Sequence, residues 1–339
     1  MNVIATWMYS SPPGENIIHP QVGAASSAKK TQLFYWRCVF LLFESSARIN
    51  SNARHILFIN KDPPVAIDGI DTRALLKQYW IEVVQFPTIT KSPPDYYRAW
   101  NTQFIVLDVL EWLEKNIGAD DALYILDSDM IFNKPIAGEM QSALQTHGAL
   151  LYSIDYGLAY NINGLTRKDL LQIARELDPG LPVSEFIYSG GEFICCLARE
   201  LPKIAKLART TYHICLQRHA AGQKKFNEEA HLLSYVYARL GYKTHTGNRF
   251  VKRIWVDRSA YSNVDGTEDD LVLWHLPSEK KRGFVKVFRS YRQHDGQYEL
   301  TIRNFAEAYG LRETFGRRVT GYGRTLARRA YRLLEPMVP

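Results

Sequence analysis

An α/β fold with a mostly parallel sheet and helices on both faces is what this sequence predicts, on three observations. Strand-like and helix-like segments alternate through the first 130 residues, as they do when each strand returns to the sheet through a helix. The strand candidates are short and apolar, whereas the intervening segments carry apolar residues at helical spacing. With 339 residues, 46% hydrophobic and 23% charged, the chain is long enough for a sizeable core and ordinary for a soluble globular protein.

Taken in order, Asn2–Tyr9 reads as a strand and Lys29–Ala47 as a helix. His55–Asn60 is an apolar strand that runs into a turn at Pro63 and Pro64. Thr72–Tyr79 reads as a helix and Ile81–Phe86 as a strand. Tyr97–Asn116 reads as a long helix whose apolar face holds Leu107, Leu110, Trp112 and Leu113. Ala122–Leu126 is the fourth apolar strand. Beyond it the pattern loosens: Ala149–Ile154, Phe186–Leu197 and Leu271–His275 read as strands, and Thr166–Leu177, Leu201–Gln217 and Asn227–Leu240 as helices. There is no internal repeat and no linker before about residue 310.

Composition narrows the setting. The longest apolar run, Phe34–Phe43, is too short for a membrane span and contains Arg37, so it reads as a buried amphipathic helix. No secretory leader pattern opens the sequence, and a cytoplasmic protein is expected. The four cysteines, Cys38, Cys195, Cys196 and Cys215, have neither disulfide-scaffold nor zinc-like spacing. The formal net charge is +7, but residues 311–339 hold seven arginines against two glutamates and so supply five of those seven charges. Within that tail, Arg324, Arg328, Arg329 and Arg332 fall on one helical face and Leu326, Ala330, Leu333 and Leu334 on the other. Two readings stay open: a helix lying on an anionic membrane at the inner face, or a helix packed on the domain. Charge balance elsewhere argues against a nucleic-acid partner.

The chemistry concentrates in Leu123-Tyr124-Ile125-Leu126-Asp127-Ser128-Asp129-Met130-Ile131-Phe132. A buried strand ends in two carboxylates one residue apart, and such a pair repels unless a cation lies near it. Mg²⁺ or Mn²⁺, hard ions with oxygen ligands, suit it. Open α/β sheets bind ligands at the carboxyl ends of their strands, where this pair falls. Asp-x-Asp is also a common surface turn; its place after the fourth strand favours a site.

These residues resemble the glycosyltransferases of the GT-A fold, most closely family 8. There an apolar strand ends in Leu-Asp-x-Asp, as Leu126-Asp127-Ser128-Asp129 does, and a later His-x-x-Gly-x-x-Lys-Pro-Trp completes the metal site. Here the segment is His275-Leu276-Pro277-Ser278-Glu279-Lys280-Lys281-Arg282-Gly283; His275 and Lys281 match, while Ser278, Arg282 and Gly283 depart. The resemblance implies Asp127, Asp129 and His275 as ligands of Mn²⁺ or Mg²⁺, and Lys281 as a diphosphate contact. It implies that Thr6, Trp7 and Tyr9 meet the nucleoside and that Arg98 meets donor sugar or phosphate. Ser189, Gly190 and Gly191 match the strand beside the sugar, although paired glycines in a strand also fit a simple bulge. Glu192, Glu228 and Glu229 are the candidate catalytic or sugar-contacting carboxylates; Glu228 and Glu229 also suit a helix N-terminus on electrostatic grounds.

The implied function is transfer of a sugar from a nucleotide-sugar, a UDP-sugar first, to a hydroxyl of a glycan or glycolipid, with retained anomeric configuration. The implied organisation is a donor-binding half at 1–135, an acceptor-side half of the same GT-A domain at 136–310, and the basic tail at 311–339. Two alternatives stand beside it. A haloacid dehalogenase-like phosphatase would use Asp127 as nucleophile, though such enzymes prefer Thr or Val where Ile131 stands. A non-catalytic nucleotide-sugar-binding protein of the same fold would tolerate the departures at Ser278 and Tyr188.

Overall fold

The computed structural model describes residues 1–15, 17, 24–86, 89–98, 100–257 and 261–293. The basic tail, with its two open readings, lies outside the described residues. The chain runs β1 (Asn2–Met8), α1 (Lys29–Ile49), β2 (Arg54–Ile59), a small hairpin β3 (Ala66–Ile67) and β4 (Ile70–Asp71), α2 (Thr72–Gln78), β5 (Ile81–Gln85), α3 (Val106–Asn116) and β6 (Ala122–Leu126). It continues through β7 (Met130–Phe132), α4 (Gly138–His147), β8 (Ala149–Ile154), α5 (Arg167–Leu177), β9 (Tyr188–Leu197), α6 (Leu201–Ala220) and α7 (Glu229–Arg239). Last come β10 (Val251–Arg253), the hairpin β11 (Val256–Asp257) and β12 (Tyr261–Ser262), β13 (Leu273–His275) and α8 (Gly283–Gln293).

The main sheet has six strands in the order β5-β2-β1-β6-β9-β8. The first four are mutually parallel, and β9 runs antiparallel between β6 and β8. The central strand β6 is buried along its whole length, as a strand covered on both faces must be. Helix α1 covers one face; α3, α6 and α7 cover the other. The expected mostly parallel α/β sheet flanked by helices is therefore what forms.

A second sheet of three strands, β10-β13-β7, sits beyond the end of β6. In its register Arg253 pairs with His275 and His275 pairs with Met130, the residue after Asp129. This small sheet is what brings segments far apart in sequence to the end of β6. Beyond it α8 buries Phe284, Val287 and Phe288 against α1, each contributing roughly 1.5–3 kcal/mol of burial.

The helix expected from Tyr97 begins only at Val106. Arg98 takes φ +52°, a left-handed conformation that a right-handed helix excludes. Tertiary bonds hold the preceding stretch instead: Tyr96 Oη donates to the Phe226 carbonyl at 2.7 Å, and Lys225 Nζ donates to the Tyr96 carbonyl at 2.7 Å. Helix α1, by contrast, forms as expected and is buried on most sides. No helix among the described residues is long and apolar enough to cross a membrane. All four cysteines are buried and free.

Candidate active site

At the carboxyl end of β6 the chain makes a tight turn. Asp127 N donates to the Glu192 carbonyl at 3.0 Å, and Met130 N donates back to the Asp127 carbonyl at 3.1 Å. The turn sends both carboxylates the same way. His275 closes on them from β13, with Nε2 at 3.2 Å from Asp129 Oδ2 and 3.9 Å from Asp127 Oδ2. One atom from each of the three side chains lies within 4.8 Å of the other two. Two carboxylates and one imidazole nitrogen make a donor set for a divalent cation.

The orientation of His275 is fixed from behind. Its Nδ1 lies 3.1 Å from Glu192 Oε1, so Nε2 faces the aspartates, the arrangement in which a carboxylate orients a metal-binding imidazole. Glu192 is in turn gripped by Arg253, with Nε to Oε1 at 2.7 Å and Nη2 to Oε2 at 2.6 Å. On the other side, Lys280 Nζ makes a very short contact with Asp129 Oδ2 and lies over the Tyr35 ring.

Charge follows from these contacts. Burial alone would raise the Asp129 pKa, but Lys280 and His275 hold it far below the ordinary carboxylate range. Glu192 likewise stays ionised against its burial because Arg253 and His275 face it. Burial and then the neighbouring Asp129 charge push Asp127 up to about 6. Burial would lower His275, yet Asp129 and Glu192 outweigh it and raise the imidazole to about 9.

A cleft of about 360 Å³ opens over this group, along the carboxyl ends of the parallel strands. On the β1 side it is lined by Trp7, Tyr9, Tyr35 and Lys280; beyond β6 it is lined by Tyr156, Tyr160, Gly191, Glu192, Glu228 and Glu229. Glu228 is buried: Oε1 accepts from Tyr188 Oη at 3.0 Å, Oε2 accepts a short bond from Asn163 Nδ2, and His231 Nε2 stands 3.2 Å away. Burial raises Glu228 to about 7 despite those bonds, and burial together with the Glu228 charge pushes Glu229 well above the usual range. Burial likewise lowers His231 to about 3.

Of the expected site residues, Asp127, Asp129, His275, Trp7, Tyr9, Gly191, Glu192, Glu228 and Glu229 come together around the cleft. Five do not line it. Thr6 is fully buried and its Oγ1 donates to the Leu126 carbonyl at 2.7 Å, a bond that ties β1 to β6. Arg98 is exposed in its left-handed turn, over the Tyr97 ring. Lys281 is exposed, because the turn after β13 curls Lys280 inward, against Asp129, and its neighbour outward. Ser189 faces α7, where its N–H donates to Ser234 Oγ at 2.8 Å.

Gly190 supplies the last correction. A Cβ there would stand 2.3 Å from Glu192 Oε2, and a Cβ at Gly191 would stand 3.0 Å from Glu229 Oε1. The paired glycines make room for glutamate side chains of this chain. Arg253, Lys280 and Tyr156 escaped the sequence reading. Arg253 sits in a three-residue strand with no motif around it, and the two adjacent lysines differ only in which way a turn points them.

No family model matches the sequence, and no curated protein matches it. Among solved structures, the apo form of mouse xyloside xylosyltransferase 1 superposes with a TM-score of 0.45 at 9% identity, covering 81% of this chain and 98% of that one. What the cleft does is therefore read from its own chemistry.

Proposed function

We propose that the chain is a metal-dependent glycosyltransferase that moves a sugar from a nucleotide-sugar to a hydroxyl of a glycan or glycolipid. The observation that carries this reading is the convergence of Asp127, Asp129 and His275 at the carboxyl end of the central strand β6, within a cleft that continues to both sides. The donor class, a UDP-sugar first, and retention of anomeric configuration rest on the sequence resemblance. A Mn²⁺ or Mg²⁺ ion held by the three side chains would neutralise charge on the donor diphosphate.

The remaining work falls to side chains. Trp7 and Tyr9 form the wall for base and ribose. Lys280, already in the cleft as an ammonium beside Asp129, is placed to draw diphosphate charge, which stabilises charge that grows as the bond breaks. The acceptor oxygen bonds to the anomeric carbon. The bond from that carbon to the diphosphate oxygen breaks, its electron pair leaves with the diphosphate, and the hydroxyl proton follows to that newly basic oxygen. Glu192 acts through His275 as a positioning residue, since both its oxygens are bound to Arg253. Glu228 and Glu229 serve as hydrogen-bonding groups toward sugar hydroxyls, because burial shifts both toward the protonated form, which can donate as well as accept.

A thermal-shift screen of nucleotide-sugars with and without Mn²⁺ tests the reading. Stabilisation by a UDP-sugar that requires Mn²⁺ is expected; no stabilisation by any nucleotide-sugar in the presence of metal would count against it.

A further inference from the structure

We propose that the part of the cleft between α7 and the loop after β8 is an acceptor subsite built for an uncharged saccharide, with a sugar ring lying on Tyr160. The inference deepens the transferase reading and rests on it.

The loop 155–165 is fastened at many points. Arg167 Nη1 donates to the Tyr156 carbonyl at 2.8 Å, and Arg253 Nη1 donates to Tyr156 Oη at 3.0 Å. Asn227 Nδ2 donates to the Asn163 carbonyl at 2.9 Å, and Asn163 Nδ2 binds Glu228 in return. A β-bridge between Ile162 and Leu165 closes the turn. Tyr156 is thus pinned by its backbone and its hydroxyl. Tyr160 stacks on it face to face, with ring centroids 4.7 Å apart and planes 1° from parallel. With one face against Tyr156, Tyr160 is still 53% exposed and borders the cleft, beside Leu158 at 56%. A rigid, flat apolar face over a polar floor is the surface that a pyranose needs, with its C–H groups on the ring and its hydroxyls at the edge.

The floor supplies hydrogen-bonding capacity that the protein leaves unused. Gln103 is only 4% exposed, and its Oε1 has no partner among the described residues; the same holds for Glu229 Oε2. Both residues line the cleft. A buried acceptor left unpaired is costly, and a turn of either side chain toward the cleft would offer it to a sugar hydroxyl, which is both donor and acceptor. The charge pattern then selects the class of sugar. Among the described residues lining this half, Arg253 is the basic one, and its guanidinium is forked onto Glu192. An acceptor bearing a carboxylate or phosphate would find no cation outside the Arg253–Glu192 pair among the described residues of this half to offset its desolvation, whereas a neutral glycan needs none.

The test uses the full chain with UDP and Mn²⁺ and measures saccharide binding by saturation-transfer NMR. The probes are methyl β-D-glucopyranoside and lactose against glucuronic acid and glucose 6-phosphate. At least one neutral probe is expected to bind, and the anionic probes to bind at least ~10-fold more weakly, a ratio equivalent to about 1.4 kcal/mol. Tyr160→Ala should weaken the neutral probe by about 10-fold on the same conversion. Tyr160→Phe, which keeps the face and loses the hydroxyl, should stay within about twofold. Anionic probes that bind as tightly as neutral ones, Tyr160→Ala without effect, or no saccharide bound by a protein that does bind UDP with Mn²⁺, would each overturn the subsite while leaving the donor reading intact. Failure of UDP and Mn²⁺ to bind the wild-type chain would remove both.

Discussion

Around Asp129 and Glu192 the carboxylates meet Lys280, His275 and Arg253; around Glu228 and Glu229, a short way along the same cleft, they meet tyrosine, asparagine and a histidine kept uncharged. Burial is similar in the two places and so is the residue type. The outcome differs because only the first cluster has cations to offset the cost of desolvation. One group of carboxylates is held ionised, as cation ligands and their supports must be. The other is shifted by burial toward the protonated form, as suits contact with hydroxyl groups. Two parts of one cleft thereby acquire different chemistry from the same side chains.

The sharpest way to break this comparison is within the aspartate pair. Asp129→Ala removes the carboxylate that faces the buried Lys280 and His275 side chains, so about 3–5 kcal/mol of stability should be lost in urea unfolding, together with transferase activity. Asp127→Ala should abolish activity as fully, yet leave the metal-free protein as stable as wild type or more so, because Asp127 is partly exposed and repelled by Asp129. Equal destabilisation by both would show that the two carboxylates are not held differently.

Arg253→Ala comes next. It strands the Glu192 charge and loosens the carboxylate that orients His275, so about 3 kcal/mol of stability and roughly 10- to 100-fold of Mn²⁺ affinity should go together. Calorimetric titration of Mn²⁺ into the variant measures the second effect, and an unchanged affinity would separate Glu192 from the metal site.

A third test concerns the neutral cluster. The folded-state pKa of Glu228, about 7, lies above its unfolded value, so folding favours the protonated form. Its stabilising contribution is complete below the unfolded pKa and is lost as pH rises through about 7. Wild type should therefore lose roughly 1–3 kcal/mol relative to Glu228→Gln between pH 5 and pH 8 in urea titrations. A gap that stays constant with pH would mean that Glu228 is ionised throughout. The smallest effects separate the adjacent lysines. Lys280→Met should raise the KM for donor by about tenfold, and Lys281→Met should leave it near wild type.

Much of this was legible before any coordinates. Apolar runs such as Ala122–Leu126 and Ala149–Ile154 form strands with the expected bounds, because buried strands leave a continuous hydrophobic signature. The Asp127–Asp129 pair was legible from its position after such a strand, and His275 only through the resemblance of its segment to the His-x-x-Gly-x-x-Lys-Pro-Trp pattern. What escaped depends on tertiary placement. β7 and β10 are three residues long and exist because β13 pairs with both. Arg253 acquires its role only through that pairing. The left-handed Arg98 excludes the start of a helix that the side-chain pattern alone would have begun at Tyr97. The glycines at 190 and 191 read as sites where a ligand comes close; the groups that crowd them are this chain's own Glu192 and Glu229.

The central claim is that Asp127, Asp129 and His275 together grip a cation that a nucleoside diphosphate also grips. Electron paramagnetic resonance of Mn²⁺, titrated into wild type, Asp127→Ala and His275→Ala with and without UDP, tests it most directly. The account predicts one bound Mn²⁺ in wild type, held more tightly when UDP is present, and loss of that site in both variants. Mn²⁺ binding that survives both substitutions, or UDP binding indifferent to the metal, would contradict it.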